Sequence, residues 1–171
     1  MSLRTILAVV CLAGLSACSF HSLGNLKAGT SSVSDVLATF GPPAMRWVNA
    51  DGSMQLAYPG GPAGFTTHMV FVAPDGVIER VEQVLDQAHF SQIESGKSTQ
   101  EDVLRLLGPS FPAWTVYFEA RDELVWEWRY CDAWWKAAKF DVLFDGTTGR
   151  VRSTYSLPDL DGRRIVPSCS P

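Results

Sequence analysis

The sequence predicts an α+β fold built from two tandem ααβββ modules, with an antiparallel sheet carrying the helices on one face. Three observations predict it. A capped-helix signature occurs twice, over residues 29–42 and 96–109. After each copy, the apolar period changes from helical to alternating. The turns that follow also repeat. Runs of helix followed by runs of strand mark α+β rather than α/β.

In the second copy, Thr99 is a good N-cap, and Asp102 three residues later completes a capping-box pattern at the positive helix end. Val103, Leu104 and Leu107 form one apolar stripe, and Gly108-Pro109 stops the helix. The first copy matches: Ser32 with Thr99, Asp35 with Asp102, Val36-Leu37 with Val103-Leu104, and Gly41-Pro42 with Gly108-Pro109. A short apolar helix is expected ahead of each, marked by Leu23 and Leu26, then by Phe90 and Ile93.

The strands come next. Trp47 and Trp114 open the strand region of each module. Met54, Leu56 and Tyr58 alternate with polar or small residues, so one face is expected to be buried. Thr67, Met69 and Phe71 form the next set, and Asp75-Gly76 is hairpin chemistry. In the second module Trp126, Trp128 and Tyr130 share one face, followed by Phe140, Val142 and Phe144, then a turn over 145–149. Phe71 matches Phe144 and Ile78 matches Val151. The spacing between the copies grows along the chain, which places extra residues in the connection around Cys131 to Lys139. One small meander is not stable alone. The two are expected to join at their edges into one larger sheet.

The N-terminus differs in kind. Arg4 gives a positive n-region, Ile6 to Gly14 a short apolar core, and Leu15-Ser16-Ala17-Cys18 small residues before a cysteine. This is a secretory signal over 1–17 and not part of the fold. The Leu-Ser-Ala-Cys run also reads as a bacterial lipobox, with Cys18 lipidated (palmitate among its acyl chains) and first in the mature chain. Several acyl chains would give lasting attachment, since one alone is marginal. Ser19 follows rather than Asp, which points to the periplasmic face of the outer membrane. Domains are expected at 18–85 and 86–159, with a C-terminal tail at 160–171.

Composition narrows the function. The 171 residues are 46% hydrophobic and 19% charged, with a net charge of −4, which argues against a nucleic-acid binder. Cys131 and Cys169 can pair in an oxidising periplasm; the other reading is two unpaired thiols. His21, His68 and His89 have no metal-ligand spacing, and the acidic Glu119, Asp122 and Glu123 read as a solvated turn. No catalytic residues, metal ligands or cofactor site are expected. Trp134-Trp135-Lys136, with Lys139 three residues on, is the candidate protein- or membrane-binding segment. Tryptophan is enriched in binding hot spots and at membrane interfaces. The competing reading is a packed loop under the tail.

The run from Gln92 through Thr99, Asp102, Val103 and Leu107-Gly108-Pro109, then Trp128, Tyr130, 140–144 and Gly149-Arg150-Val151, resembles the SmpA/OmlA domain. That is the BamE family of outer-membrane lipoproteins. The resemblance implies a non-catalytic accessory or scaffold in outer-membrane β-barrel assembly and envelope integrity, whose partners are barrel-assembly proteins. The tandem arrangement also resembles the β-lactamase inhibitory proteins. That implies the alternative, a periplasmic inhibitor or scaffold that holds another protein.

Overall fold

The structure, a computed structural model, describes residues 26–61, 64–159 and 169. The expected signal, Cys18 and the first apolar helix up to residue 25 lie outside them. No helix among the described residues is long and apolar enough to cross a membrane.

The expected α+β class is overturned. The described chain is mostly β: two separate four-stranded antiparallel sheets and three short α-helices. The first unit has α1 (Val33–Phe40) and strands β1 (Met45–Val48), β2 (Met54–Pro59), β3 (Thr67–Val72) and β4 (Ile78–Gln83). The second has α2 (Gln87–Phe90), α3 (Gln100–Leu107), β5 (Thr115–Phe118), β6 (Glu123–Cys131), β7 (Ala137–Asp145) and β8 (Val151–Pro158). Each sheet is a meander in chain order, and no strand of one pairs with the other. Each unit thus has four strands, and the helices, of eight, four and eight residues, are too short to form a layer.

The caps form locally. Ser32 accepts from the Asp35 amide while Asp35 accepts from the Ser32 amide, and Thr99 and Asp102 do the same. These bonds hold both carboxyls below their usual range. Each helix start is then pinned to the last hairpin of its own unit. Val33 N donates to Gly76 O at 2.9 Å, and Gln100 N to Gly149 O at 3.2 Å. Bridges Ser32–Val77 and Thr99–Arg150 occupy matching places.

The two sheets do not join at their edges because α3 lies between them. Val103 and Leu107 are fully buried with Phe90, Trp128, Phe140, Val142 and Phe144 of the second unit. Leu104, on another side of α3, packs with Trp47, Ala57 and Met69 on the first sheet. Val36 of α1 meets the opposite face of that sheet, with Leu56, Val70, Val72 and Ile78. The first sheet is therefore buried on both faces, which the alternation of Met54, Leu56 and Tyr58 did not predict. Gln55 is 7% exposed and Ala57 fully buried.

The register also corrects the repeat. Ile78 opposes Val72 and Val151 opposes Phe144, each beside an irregularity, so Val72 and not Phe71 corresponds to Phe144. Trp47 faces Gln55 where Val116 faces Val125, so Val116 replaces Trp114 as the counterpart of Trp47. Trp114 sits in a 3-10 turn just before β5. The added length of the second unit is thus spread over several connections. It is not confined to Cys131–Lys139.

Candidate functional site

The β6–β7 hairpin carries the exposed tryptophans. Its strands are nine residues each and pair from Glu123–Asp145 to Cys131–Ala137. Asp132 organises the turn. Its Oδ1 accepts from the amides of Trp134 and Lys136, both at 2.8 Å. Its own amide donates to Lys136 O at 2.9 Å, and Trp135 N donates to Asp132 O at 3.0 Å. Cys131 at the base of the turn is bonded to Cys169, with Cα atoms 5.6 Å apart.

Trp134 is 81% exposed and Trp135 57% exposed. Trp135 also has φ of 56°, in the left-handed region where Gly or Asn is comfortable and a bulky residue is an outlier. Such a conformation costs on the order of 1–3 kcal/mol. A large apolar ring is thus kept where folding alone would favour a small residue.

Lys136 is exposed at the same tip, but Lys139 is not part of it. It lies two residues into the pairing of β7, half-buried, with Nζ 3.5 Å from Glu127 Oε2. Strand alternation, which is period two, turns it onto the outer face of the second sheet. The candidate segment is therefore Trp134, Trp135 and Lys136. Asp132, which shapes it, was missed in the sequence; an Asp opening a turn is the signal that could have found it.

That outer face carries a second set of groups. Glu127, Lys139 and Asp141 lie at its middle. Burial, then the Glu127 charge, pushes the Asp141 carboxyl up to about 6. The Arg129 guanidinium lies 4.6 Å over Trp114, with Nε 3.1 Å from Asp159 Oδ2. A shallow depression of about 420 Å³ runs beside Trp114, Val116, Phe118, Val125, Glu127 and Asp141.

The acidic turn and the two described histidines are partnered or partly buried locally. Asp122, in the left-handed region, accepts from Tyr117 Oη at 2.6 Å and Thr147 Oγ1 at 2.7 Å. Glu123 meets Arg121 at 3.0 Å. His89 Nδ1 lies 2.8 Å from Asp86 Oδ1 at the start of α2, and burial lowers the pKa of His68 on β3. His21 lies outside the described residues.

No protein-family model and no curated protein matches the chain. One solved structure is similar over 89% of this chain and 50% of its own length, at 14% identity and a TM-score of 0.31. It is an extracellular protein containing a SCP domain from Bacillus anthracis str. Ames. The chain thus spans half the length of that protein, and a likeness at this TM-score carries no argument about fold or function.

Proposed function

We propose that this chain is a non-catalytic outer-membrane lipoprotein, anchored through Cys18, that acts as an accessory or scaffold in β-barrel assembly. It grips its partner with the tip of the β6–β7 hairpin. The lipobox and the SmpA/OmlA-like residues support the compartment and role. One observation carries the contact: Trp134 and Trp135 stand exposed on a turn fixed by Asp132, one of them in a conformation unfavourable for its size.

A turn with a fixed backbone suits binding because the loop need not be ordered on contact, and hot-spot tryptophans contribute about 2 kcal/mol or more. Lys136 beside them reaches an acidic group on the partner. Cys131–Cys169 holds the base of the hairpin.

The test is crosslinked pull-down from membranes with the full chain, comparing it with the Trp134→Ala/Trp135→Ala double variant. Recovery of barrel-assembly subunits by the parent and their loss with the variant, at an unchanged melting temperature, is the expected outcome. Recovery of a soluble periplasmic enzyme instead would move the reading to the inhibitor-like alternative. A melting temperature lowered by many degrees would mean the rings hold the fold, and the contact assignment would fail.

A further inference from the structure

The last strand of each unit, β4 or β8, lies at a sheet edge, and the two edges are built differently. Ile78 and Val151 occupy matching places, so Arg80 corresponds to Ser153 and Glu82 to Tyr155. β4 carries Glu79, Arg80 and Glu82, with Arg80 Nε 2.7 Å from Glu82 Oε1. Charged side chains on an edge keep other strands from adding to it. β8 runs eight residues with Arg152 as its only charge, and that guanidinium turns back to Asp145 at 2.6 Å. Tyr155 is 51% exposed and Leu157 48%. At the opposite edge of the same sheet, β5 is four residues long between two 3-10 turns, and a short edge strand offers little to pair with.

The ladder shows which backbone groups β8 leaves open. Asp159 N donates to Ala137 O at 3.0 Å, so Leu157, Tyr155 and Ser153, in step with it, turn their N–H and C=O groups to β7. Thr154, Ser156 and Pro158 turn theirs outward. At Val151 the outer side is already taken: Gly96 N donates to Val151 O at 2.7 Å, and Val151 N to Ser98 O at 2.9 Å. At the other end Pro158 has no N–H to give. Among the described residues no backbone group meets Thr154 or Ser156 from the outer side. The open edge is thus bounded at both ends and centred on Tyr155.

We propose that β8 pairs antiparallel with β8 of a second copy of this chain, across a two-fold axis at Tyr155, so that the two sheets become one. Thr154 bonds with the second copy's Ser156, and Ser156 with its Thr154. Every outward N–H and C=O of both residues is then paired. Moving the axis one residue either way leaves some of them facing Pro158 or the bulged Arg152. Charge also fits a second copy. Ser153 faces Leu157, Tyr155 faces Tyr155, and each Arg152 faces Pro158, so no like charges meet. The edge of the first unit could not pair this way, because Glu82 in the place of Tyr155 would face itself, and like charges directly opposite are destabilising. This edge shares no residue with the Trp134–Trp135 tip, so it does not depend on the reading of that tip.

The experiment uses the full chain, made in cells and purified in detergent. Across the axis the two Tyr155 positions form a pair with Cα atoms about 4.5 Å apart, within disulfide reach. The two Leu157 positions lie about 13 Å apart along the strands, at about 3.4 Å per residue. Tyr155→Cys should therefore give a covalent dimer under oxidising conditions, mapped to position 155 by mass spectrometry, and Leu157→Cys should not. Sedimentation of the parent at micromolar concentration should show a dimer. Ser156→Pro, which removes an outward N–H from each copy, should weaken it by about tenfold or more. Tyr155→Lys, which sets two ammonium groups face to face, should abolish it, and Tyr155→Phe should keep it. Thermal melting accompanies each variant; if Ser156→Pro does not fold, Tyr155→Lys and the two cysteine variants decide. A monomeric parent, open-ended assemblies, equal crosslinking at 155 and 157, a disulfide to another protein only, or a dimer indifferent to Tyr155→Lys would each overturn the proposal.

Discussion

Gln55, in the first sheet, donates its side-chain amide to the backbone carbonyl of Arg105, in the last turn of α3. The last four carbonyls of a helix have no partner inside it. Here a residue 50 positions away supplies one, and Gln55 is itself 7% exposed. Arg105 completes the contact from its side, donating to Asn49 Oδ1 at 3.1 Å and lying 5.6 Å from the Trp47 ring. Replacing Gln55 with Ala should cost about 1–3 kcal/mol, the range for leaving a buried polar group unsatisfied. Gln55→Glu should cost more, because a carboxylate would face a carbonyl at the negative end of a helix. Urea unfolding measures both, and a Gln55→Ala variant as stable as the parent would show that the bond holds nothing.

Leu37 and Leu104 are sequence equivalents with different fates. Leu37 is 41% exposed on α1, while Leu104 is packed between the units. Leu104 is partly buried, so Leu104→Ala should destabilise by about 1–2 kcal/mol, below the range for a fully buried leucine. Leu37→Ala should stay within about 0.5 kcal/mol. Equal losses for the two variants in thermal melting would contradict the packing of α3 on the first sheet.

The two helix-ending glycines make the same comparison at the backbone. Gly41 and Gly108 have φ of 75° and 74°, so both need the left-handed region that glycine adopts freely. A Cβ at Gly41 would meet nothing within 4 Å. At Gly108 it would meet Thr67 Cγ2 at 2.8 Å and Ala57 Cβ at 3.4 Å. Alanine at 41 should cost about 1–3 kcal/mol from backbone strain alone, because positive φ with an extended ψ is a region essentially reserved for glycine. Alanine at 108 should cost distinctly more, because α3 must also move off the first sheet. Similar melting temperatures for the two would sink this account.

Asp141 makes stability depend on pH. Glu127 faces it from β6, Lys139 stands beside it on β7, and Tyr155 opposes it on β8. Its folded pKa of about 6 lies above its ordinary 3.8, so the folded chain holds the proton more tightly. Its contribution is fully present below about pH 4, is lost as pH rises towards 6, and stays lost above that. Asp141→Asn should flatten that slope and add about 1–2 kcal/mol at pH 7. That figure discounts the nominal 1.4 kcal/mol per unit for solvent screening of a half-exposed group. Unfolding curves at several pH values between 4 and 7 check it, and a variant that tracks the parent throughout would refute it.

Short-range physics could be read from the chain directly. Ser32 with Asp35 and Thr99 with Asp102 form capping boxes because both partners lie within one turn, and Gly41 and Gly108 end their helices for the same reason. The alternation that buries Trp128, Tyr130, Phe140 and Phe144 is local as well. Two equal patterns, however, carry no instruction about how they meet. Edge pairing and face stacking use the same strands. What selects stacking is the fit of Leu104, Gly108 and Arg105 to Ala57, Met69 and Gln55, residues about 35 to 50 positions away. The exposure of Trp134 and Trp135 was decided at the same level. Their turn was legible, but whether any surface lay above it depended on the packing of the whole chain.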